Sequence, residues 1–460
     1  MTAASSPPSA TLEPSRPEGC HHPAKRAATA DLHAPSVALP LQFILVGVVA
    51  MVAGVVWLVA RPIVLSGYHY SPEVVAVTHL FVLGWLSSVV MGTTYQIVPV
   101  ALETRLHSAR LARSQFVLHV VGFAGMVVMF RAENMKQVGH FGSLLAAGVG
   151  LFVYNLARTL ARIPRWNVVS AGIASSLVWL SVAVLAGLYL AAAKCWNFSP
   201  FDPIAQLHAH AHLGGLGFFA LMIVALSYRL VPMFTLGEVQ SAPRAKWSLV
   251  LLNAGLLGTV VTILISSPWK LLFAVILAAG LMTFGVEVMA ILRGRKRRRL
   301  DWGMKYFLTA LALLVPVSGM GLALAWPGLR MTQGTLQLEN LYGFSAFIGV
   351  FTFATLGMLY KIVPFLVWYA SYSKAVGRSQ VPSPAELSPP GLAAAGYWLF
   401  LAGLVVTGVG IGLSHEGFAR AGGALLLASV TSFVFNTMMV LTHLVRPRLR
   451  PLVIILGPTR

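Results

Sequence analysis

The sequence predicts an all-α integral membrane protein of about twelve transmembrane helices, built as three copies of one four-helix unit. Three observations predict it: a charge-poor composition, apolar runs of membrane-crossing length, and a segment that recurs three times at nearly constant spacing. The 460 residues are 57% hydrophobic and 10% charged, where a soluble globular chain carries roughly 25% charged residues. The lipid bilayer is the partner such a chain fits.

A helix needs about 20 apolar residues to cross a bilayer. Runs of that kind occupy 41–60, 73–100, 112–131, 138–160, 168–193, 204–234, 247–267, 270–293, 303–325, 337–368, 391–413 and 421–445. Backbone groups in hydrocarbon must bond within their own segment, so the runs read as helices. The period-two alternation of a transmembrane barrel strand is missing. Residues 1–40, rich in Pro, Ser and Ala, are expected to form a disordered cytoplasmic tail. They contain no apolar stretch ahead of a cleavage site, which makes the first helix the expected insertion signal. Residues 41–446 are expected to form a single transmembrane domain, with units at about 41–165, 166–300 and 301–446, and 447–460 a cytoplasmic C-terminal tail.

The formal net charge of +20 would suit nucleic acid if it were spread over a soluble face, but its distribution argues against that. With alternating helices, 26 of the 33 Lys and Arg residues fall on the side of the two termini and seven on the other. This is the positive-inside pattern, with both termini cytoplasmic and a bacterial inner membrane as the expected location. The densest run, Arg293 to Arg299, reads as an orientation anchor against anionic lipid. Cys20 and Cys195 fall on opposite sides, so no intrachain disulfide is expected.

The repeat is carried by HLFVLGWLSSVVMGTTYQIVP (His79 to Pro99), HLGGLGFFALMIVALSYRLVP (His212 to Pro232) and FSAFIGVFTFATLGMLYKIVP (Phe344 to Pro364), offset by 133 and 132 residues. Each copy has a glycine at its sixth position (Gly84, Gly217, Gly349), a small residue at its fourteenth (Gly92, Ala225, Gly357) and ends on Tyr-x-[Ile/Leu]-Val-Pro. Helices 4, 8 and 12 add FVYN, FGVE and FVFN, which place Asn155, Glu287 and Asn436 alike. Small residues let membrane helices approach closely. Tyr95, Tyr228 and Tyr360 are expected at the cytoplasmic headgroups, with Pro99, Pro232 and Pro364 ending or bending their helices.

Of 13 histidines, five share one depth near the outer leaflet: His79, His140, His208, His210 and His212. Ionisable groups inside a bilayer are costly and are functional candidates by default. In FDPIAQLHAHAHLGG, His208 and His212 share a helix face at a spacing by which two imidazoles can hold one metal. His210 points about 200° away, so it reaches a second ligand only if the segment is not helical. Neutral imidazole suits copper, zinc and haem iron alike, and a hydrogen-bonded histidine cluster is the competing reading. His79 occupies the position of His212 in the first unit. His69, His107, His415 and His443 read as surface residues, His119 as a packing residue with a polar partner, and the Cys20-His21-His22 run with His33 as incidental. Glu287 is the only clear intramembrane carboxylate.

Twelve helices in three arcs, with H-x-x-x-x-G-W in helix 2 (His79, Gly84, Trp85), histidines at helices 2 and 6 and the Tyr-x-[Ile/Leu]-Val-Pro ends, resemble subunit I of the haem-copper oxidases. Within that superfamily the chain looks most like the branch of cbb-type oxidases, nitric oxide reductases and NnrS-like proteins. The resemblance spans roughly residues 40–446. It implies His79 as a haem ligand, His208 or His212 as a copper ligand, and respiratory-chain subunits or a cytochrome electron donor as partners. Helix 7 lacks the histidine pair of that family, and helix 10 has Asn340, Tyr342 and Phe344 where haem ligands are needed. A complete oxygen-reducing centre is therefore not expected. The leading expectation is a haem- and copper-binding membrane protein with a respiratory or nitric oxide related redox role. The alternative is a transporter or metal carrier with an outer histidine entry site.

Overall fold

The computed structural model describes residues 36–449. The Cys20-His21-His22 run, His33, nearly all of the expected N-terminal tail and most of the C-terminal one lie outside the described residues. Twelve helices are long and apolar enough to cross a membrane: α1 Ala38–Ala60, α2 Pro72–Ala101, α3 Ala109–Arg131, α4 Met135–Leu160, α5 Val168–Trp196, α6 Pro203–Thr235, α7 Ala242–Leu264, α8 Lys270–Arg293, α9 Trp302–Leu324, α10 Gln333–Ala375, α11 Pro390–Gly412 and α12 Glu416–Val445. The chain is a multi-pass, all-α membrane protein, and the described residues contain no strand. Large apolar side chains such as Val49, Leu185, Met282, Val315 and Val405 stay exposed around the bundle, as a lipid-facing surface requires.

The pairs α3–α4, α7–α8 and α11–α12 are closely packed hairpins. Each turns on one residue in the left-handed region, Glu133, Ser266 or Ser414. The next amide then reaches back to a carbonyl of the preceding helix: Asn134 to Met129, Ser267 to Thr262 and His415 to Gly410, at 2.8–3.0 Å. This bond satisfies carbonyls that a helix C-terminus otherwise leaves unpaired. Contacts of α4 with α5, α8 with α9 and α12 with α1 close the bundle.

The proline-ended helices hold the interior. In α2, α6 and α10 the most apolar stretch is 67%, 67% and 78% buried, against 50% or less in every other helix. Each of these three is interrupted by a π-helical segment, at Leu80–Ser87, Leu213–Ala220 and Ser345–Thr352, so the segments stand 133 and 132 residues apart. A π segment widens the helix by one residue per turn and is found mostly at functional sites. The repeated Gly84, Gly217 and Gly349 all fall inside it. A methyl group at Gly84 would sit 2.8 Å from Ala50 Cβ and one at Gly217 2.6 Å from Trp179 Cβ, which is the close approach that excludes a side chain there. The segments of α2 and α10 are joined by the buried Trp85 indole, whose N–H donates to Thr352 Oγ1 at 3.1 Å.

Asn155, Glu287 and Asn436 each tie the fourth helix of a stretch to the start of its third. Asn155 Oδ1 accepts from the Ser108 amide at 2.9 Å, and Asn155 Nδ2 donates to the Ser108 carbonyl at 2.8 Å. Glu287 Oε1 accepts from the amides of Gln240 and Ser241 at 2.6 and 2.9 Å, while Oε2 meets Arg244 Nε at 2.8 Å. Asn436 accepts from Ser388 Oγ at 2.9 Å and donates to the Pro389 carbonyl at 3.2 Å.

Two expectations are corrected. Tyr95 and Tyr228 are buried rather than placed among headgroups. Tyr95 hydroxyl donates to Gln115 Oε1 at 3.3 Å and Tyr228 hydroxyl bonds Ser248 Oγ at 2.7 Å. Their helices are interior, so these rings face α3 and α7, and the Tyr360 ring packs 5.2 Å from Tyr306 of α9. The prolines do not end the helices either: α2, α6 and α10 run on to Ala101, Thr235 and Ala375, because neighbouring turns and helices absorb the one missing donor.

Candidate functional site

A largely apolar cavity of about 160 Å³ lies among α2 to α6, with His79 and His210 in its wall. Ser71 caps the start of α2 and Asp202 the start of α6, and both histidines follow within about two turns, just before or close to the π segments. His79 Nδ1 lies 2.7 Å from the Val75 carbonyl. That contact assigns the proton to Nδ1 and leaves Nε2 with its lone pair free. The His79 ring leans on Phe130 at 4.8 Å and faces the His210 ring at 6.4 Å between centres, with 15° between planes. His210 Nδ1 is buried without a well-formed hydrogen bond. The ring is seated against Gly187, where a methyl group would come 3.0 Å from His210 Cε1. Gly187 thus leaves the space that the imidazole uses.

The same register recurs one unit on. His212 Nδ1 lies 2.7 Å from the His208 carbonyl, as His79 does from Val75. The His212 ring faces Tyr342 of α10 at 6.1 Å between centres and 27° between planes, with Tyr342 hydroxyl 3.5 Å from Nε2. His79 and His212 are 133 residues apart, and their partners His210 and Tyr342 are 132 apart. Each pair therefore joins position n of one unit to position n−2 of the next.

His208 does not share a ligand position with the His212 ring. Its Nε2 stands 3.3 Å from His69 Nε2, with the rings 5.3 Å apart and nearly parallel. His69 Nδ1 in turn lies 3.5 Å from Glu339 Oε2. His69 sits before α2, and burial pushes its imidazole below the ordinary histidine range. At the cavity mouth, Tyr70 lies under the Lys194 ammonium at 4.5 Å. Burial, with Tyr68 and Asp202 nearby, raises the Tyr70 phenol.

Several expectations change in this light. His210 meets a second histidine although Pro203–His212 is regular α-helix. The reason is that α6 has partners on both faces, His79 of α2 on one and His69, Glu339 and Tyr342 on the other. His140 is exposed and bonded only to Gln137, so it does not belong to the cluster. His69 is not a free surface residue, and Glu339 is a second carboxylate of the bundle beside Glu287. Asn340 stands where a haem ligand would be needed, yet it binds the Gly67 carbonyl at 2.9 Å. His119 has its expected polar partner, Ser88 Oγ at 3.0 Å. His443, read as a surface residue, is buried, with Nδ1 2.6 Å from Tyr372 hydroxyl. Tyr342 was legible from the repeat, since it holds the His210 position of the third unit. For Glu339 and His69 the sequence carries no such signal.

The donor chemistry suits a haem or a metal at two places: two facing neutral imidazoles in an apolar cavity, and two imidazoles with a carboxylate at the bundle end. No family model and no curated protein matches the chain.

Proposed function

We propose that the chain is a haem-copper-oxidase-like membrane protein of three four-helix units that holds haem between His79 and His210 and serves a respiratory or nitric oxide related redox role. The observation that carries it is the facing pair of imidazoles. Two imidazole nitrogens about 2 Å from a metal on opposite sides put their ring centres roughly 6 Å apart, and the observed 6.4 Å with near-parallel planes agrees. The Val75 carbonyl orients His79 as ligating histidines are commonly oriented, through the other ring nitrogen. Lys194 at the mouth offers an ammonium to a carboxylate-bearing ligand, and Met126, Phe130 and Phe218 exclude water. A bound haem would supply one-electron chemistry and a position for a small diatomic ligand.

The charge distribution supports a cytoplasmic location of both termini, which puts the histidine-bearing ends of α2 and α6 at the outer face of a bacterial inner membrane. An electron donor or partner subunit would meet the protein there or along the lipid-facing surface. Full oxygen reduction does not follow, since α7 has no histidine and α10 presents Tyr342 and Phe344 at the matching depth.

Absorbance spectra of the detergent-purified protein, oxidised and reduced, test the proposal. A Soret band and sharp reduced bands are expected, lost in His79→Ala and in His210→Ala and kept in His140→Ala. Absence of haem after expression with haem supplementation refutes it.

A further inference from the structure

A second group of ligating side chains stands at the end of the bundle where α2, α6 and α10 begin. It uses neither His79 nor His210. His69, His208 and Glu339 come from three separate stretches of chain, and one donor atom from each lies within 4.8 Å of the other two. Two neutral imidazole nitrogens 3.3 Å apart can share at most one proton. In a tetrahedral site with metal–nitrogen bonds of 2.0–2.1 Å, neighbouring donors stand about 3.3 Å from each other. His69 Nδ1 and Glu339 Oε2 have no hydrogen bond among the described residues, although both are buried.

The loop that carries His69 is held in place from α10. Gln337 Nε2 donates to the Ser66 carbonyl at 3.1 Å and Asn340 Nδ2 to the Gly67 carbonyl at 2.9 Å. The same turn of α10 therefore supplies Glu339 and fixes the backbone that presents His69 to it. The His69 and Glu339 side chains are 17% and 16% exposed, enough for an ion to enter and keep a water. The other charges that act on the group are Asp202 on His208 and Lys270 on His208 and Glu339.

We propose that His69, His208 and Glu339 form a site for a divalent transition metal, zinc or copper(II), with three protein ligands and one open position. Imidazole with carboxylate suits both ions. An open position at the outer mouth fits uptake, exchange or activation of a water rather than a closed structural role. The site stands independently of the haem reading.

The test uses the full chain with a non-histidine affinity tag and with Cys20→Ser, His21→Ser and His22→Ser, so that the tail adds no ligands. The protein is stripped with chelator, then titrated with zinc, and bound metal is measured by elemental analysis. Copper(II) loading followed by electron paramagnetic resonance reads nitrogen coupling from the imidazoles. One zinc per chain is expected. His69→Gln and His208→Gln should each weaken it by more than about 100-fold, and Asn340→Ala by about 10-fold, the scale seen for residues that orient ligands. Zinc should persist in His79→Ala, so a failed haem proposal leaves this one standing. Should a His208 variant fail to elute as a single species, the loop variant His69→Gln carries the result. Substoichiometric zinc in the parent protein, or full zinc in His69→Gln, overturns the proposal.

Discussion

Replacing Glu287 separates an ion pair from a carboxylate that organises backbone. The Glu287 side chain is fully buried, while its cation Arg244 is 41% exposed. A half-exposed guanidinium is screened, so that ion pair contributes about 0–1 kcal/mol. The amides of Gln240 and Ser241, at 2.6 and 2.9 Å from Oε1, are a different matter. Hydrogen bonds to a charged group contribute about 1.5–3 kcal/mol each, and both would be lost in Glu287→Ala together with the anchor for the start of α7. The expected cost is about 3–5 kcal/mol for Glu287→Ala, about 1 kcal/mol or less for Arg244→Ala, and an intermediate value for Glu287→Gln, which keeps an acceptor oxygen. Reversible unfolding in mixed detergent micelles, followed by tryptophan fluorescence, measures all three. A cost for Arg244→Ala equal to that of Glu287→Ala would refute the reasoning, because the ion pair would then be the main contribution.

Equivalent repeat glycines should respond unequally. Gly217→Ala places a methyl 2.6 Å from Trp179 Cβ and 3.0 Å from Leu256 Cδ2, and is expected to destabilise by about 1–3 kcal/mol. Gly349→Ala meets nothing closer than 3.7 Å and should be neutral or slightly stabilising in the same unfolding assay. Thr352→Val leaves the buried Trp85 indole N–H unpaired and should cost about 1–3 kcal/mol; in a double-mutant cycle most of that penalty should vanish in the Trp85→Phe background. Gly187→Leu would drive its side chain into the His210 ring, so haem content should fall sharply while Gly187→Ala, at 3.0 Å from Cε1, should shift the spectrum and lower occupancy less. Ser266→Gly, which relieves a left-handed residue, should stabilise by up to about 1 kcal/mol.

Much of the fold was legible because bilayer thickness fixes helix length. The run at 41–60 and helix α1, for instance, differ only at the N-terminal turn. Asn155, Glu287 and Asn436 were recognisable as equivalent, and each does hold the start of a third helix. The π segments were not legible. The repeated glycine sits inside each, but a glycine in a membrane helix signals close approach as readily as a change of winding, and no side-chain pattern marks the extra residue per turn. The tyrosines were misplaced for a related reason: depth along a helix says nothing about whether a ring faces lipid or protein, and only the interior position of α2, α6 and α10 decides it.

The histidines show the same limit at the site. Helical geometry alone correctly sends His210 and His208 to opposite faces of α6, and for an isolated helix that argues against a shared role. Once α6 stands between α2 and α10, opposite faces become two different sites. His210 then closes on His79 across the first interface, and His212 repeats the arrangement across the second, where Tyr342 replaces the partner imidazole. One face thus carries a matched imidazole pair and the next an imidazole with a phenol, which is a weak ligand unless ionised. If the unit-to-unit register governs ligand choice, Tyr342→His should create at the second interface the pairing that His79 and His210 make at the first. A second haem-type spectrum in Tyr342→His, abolished by His212→Ala, is the expected outcome. An unchanged haem-to-protein ratio in a well-folded Tyr342→His would show that cavity shape, rather than the facing pair, selects the site.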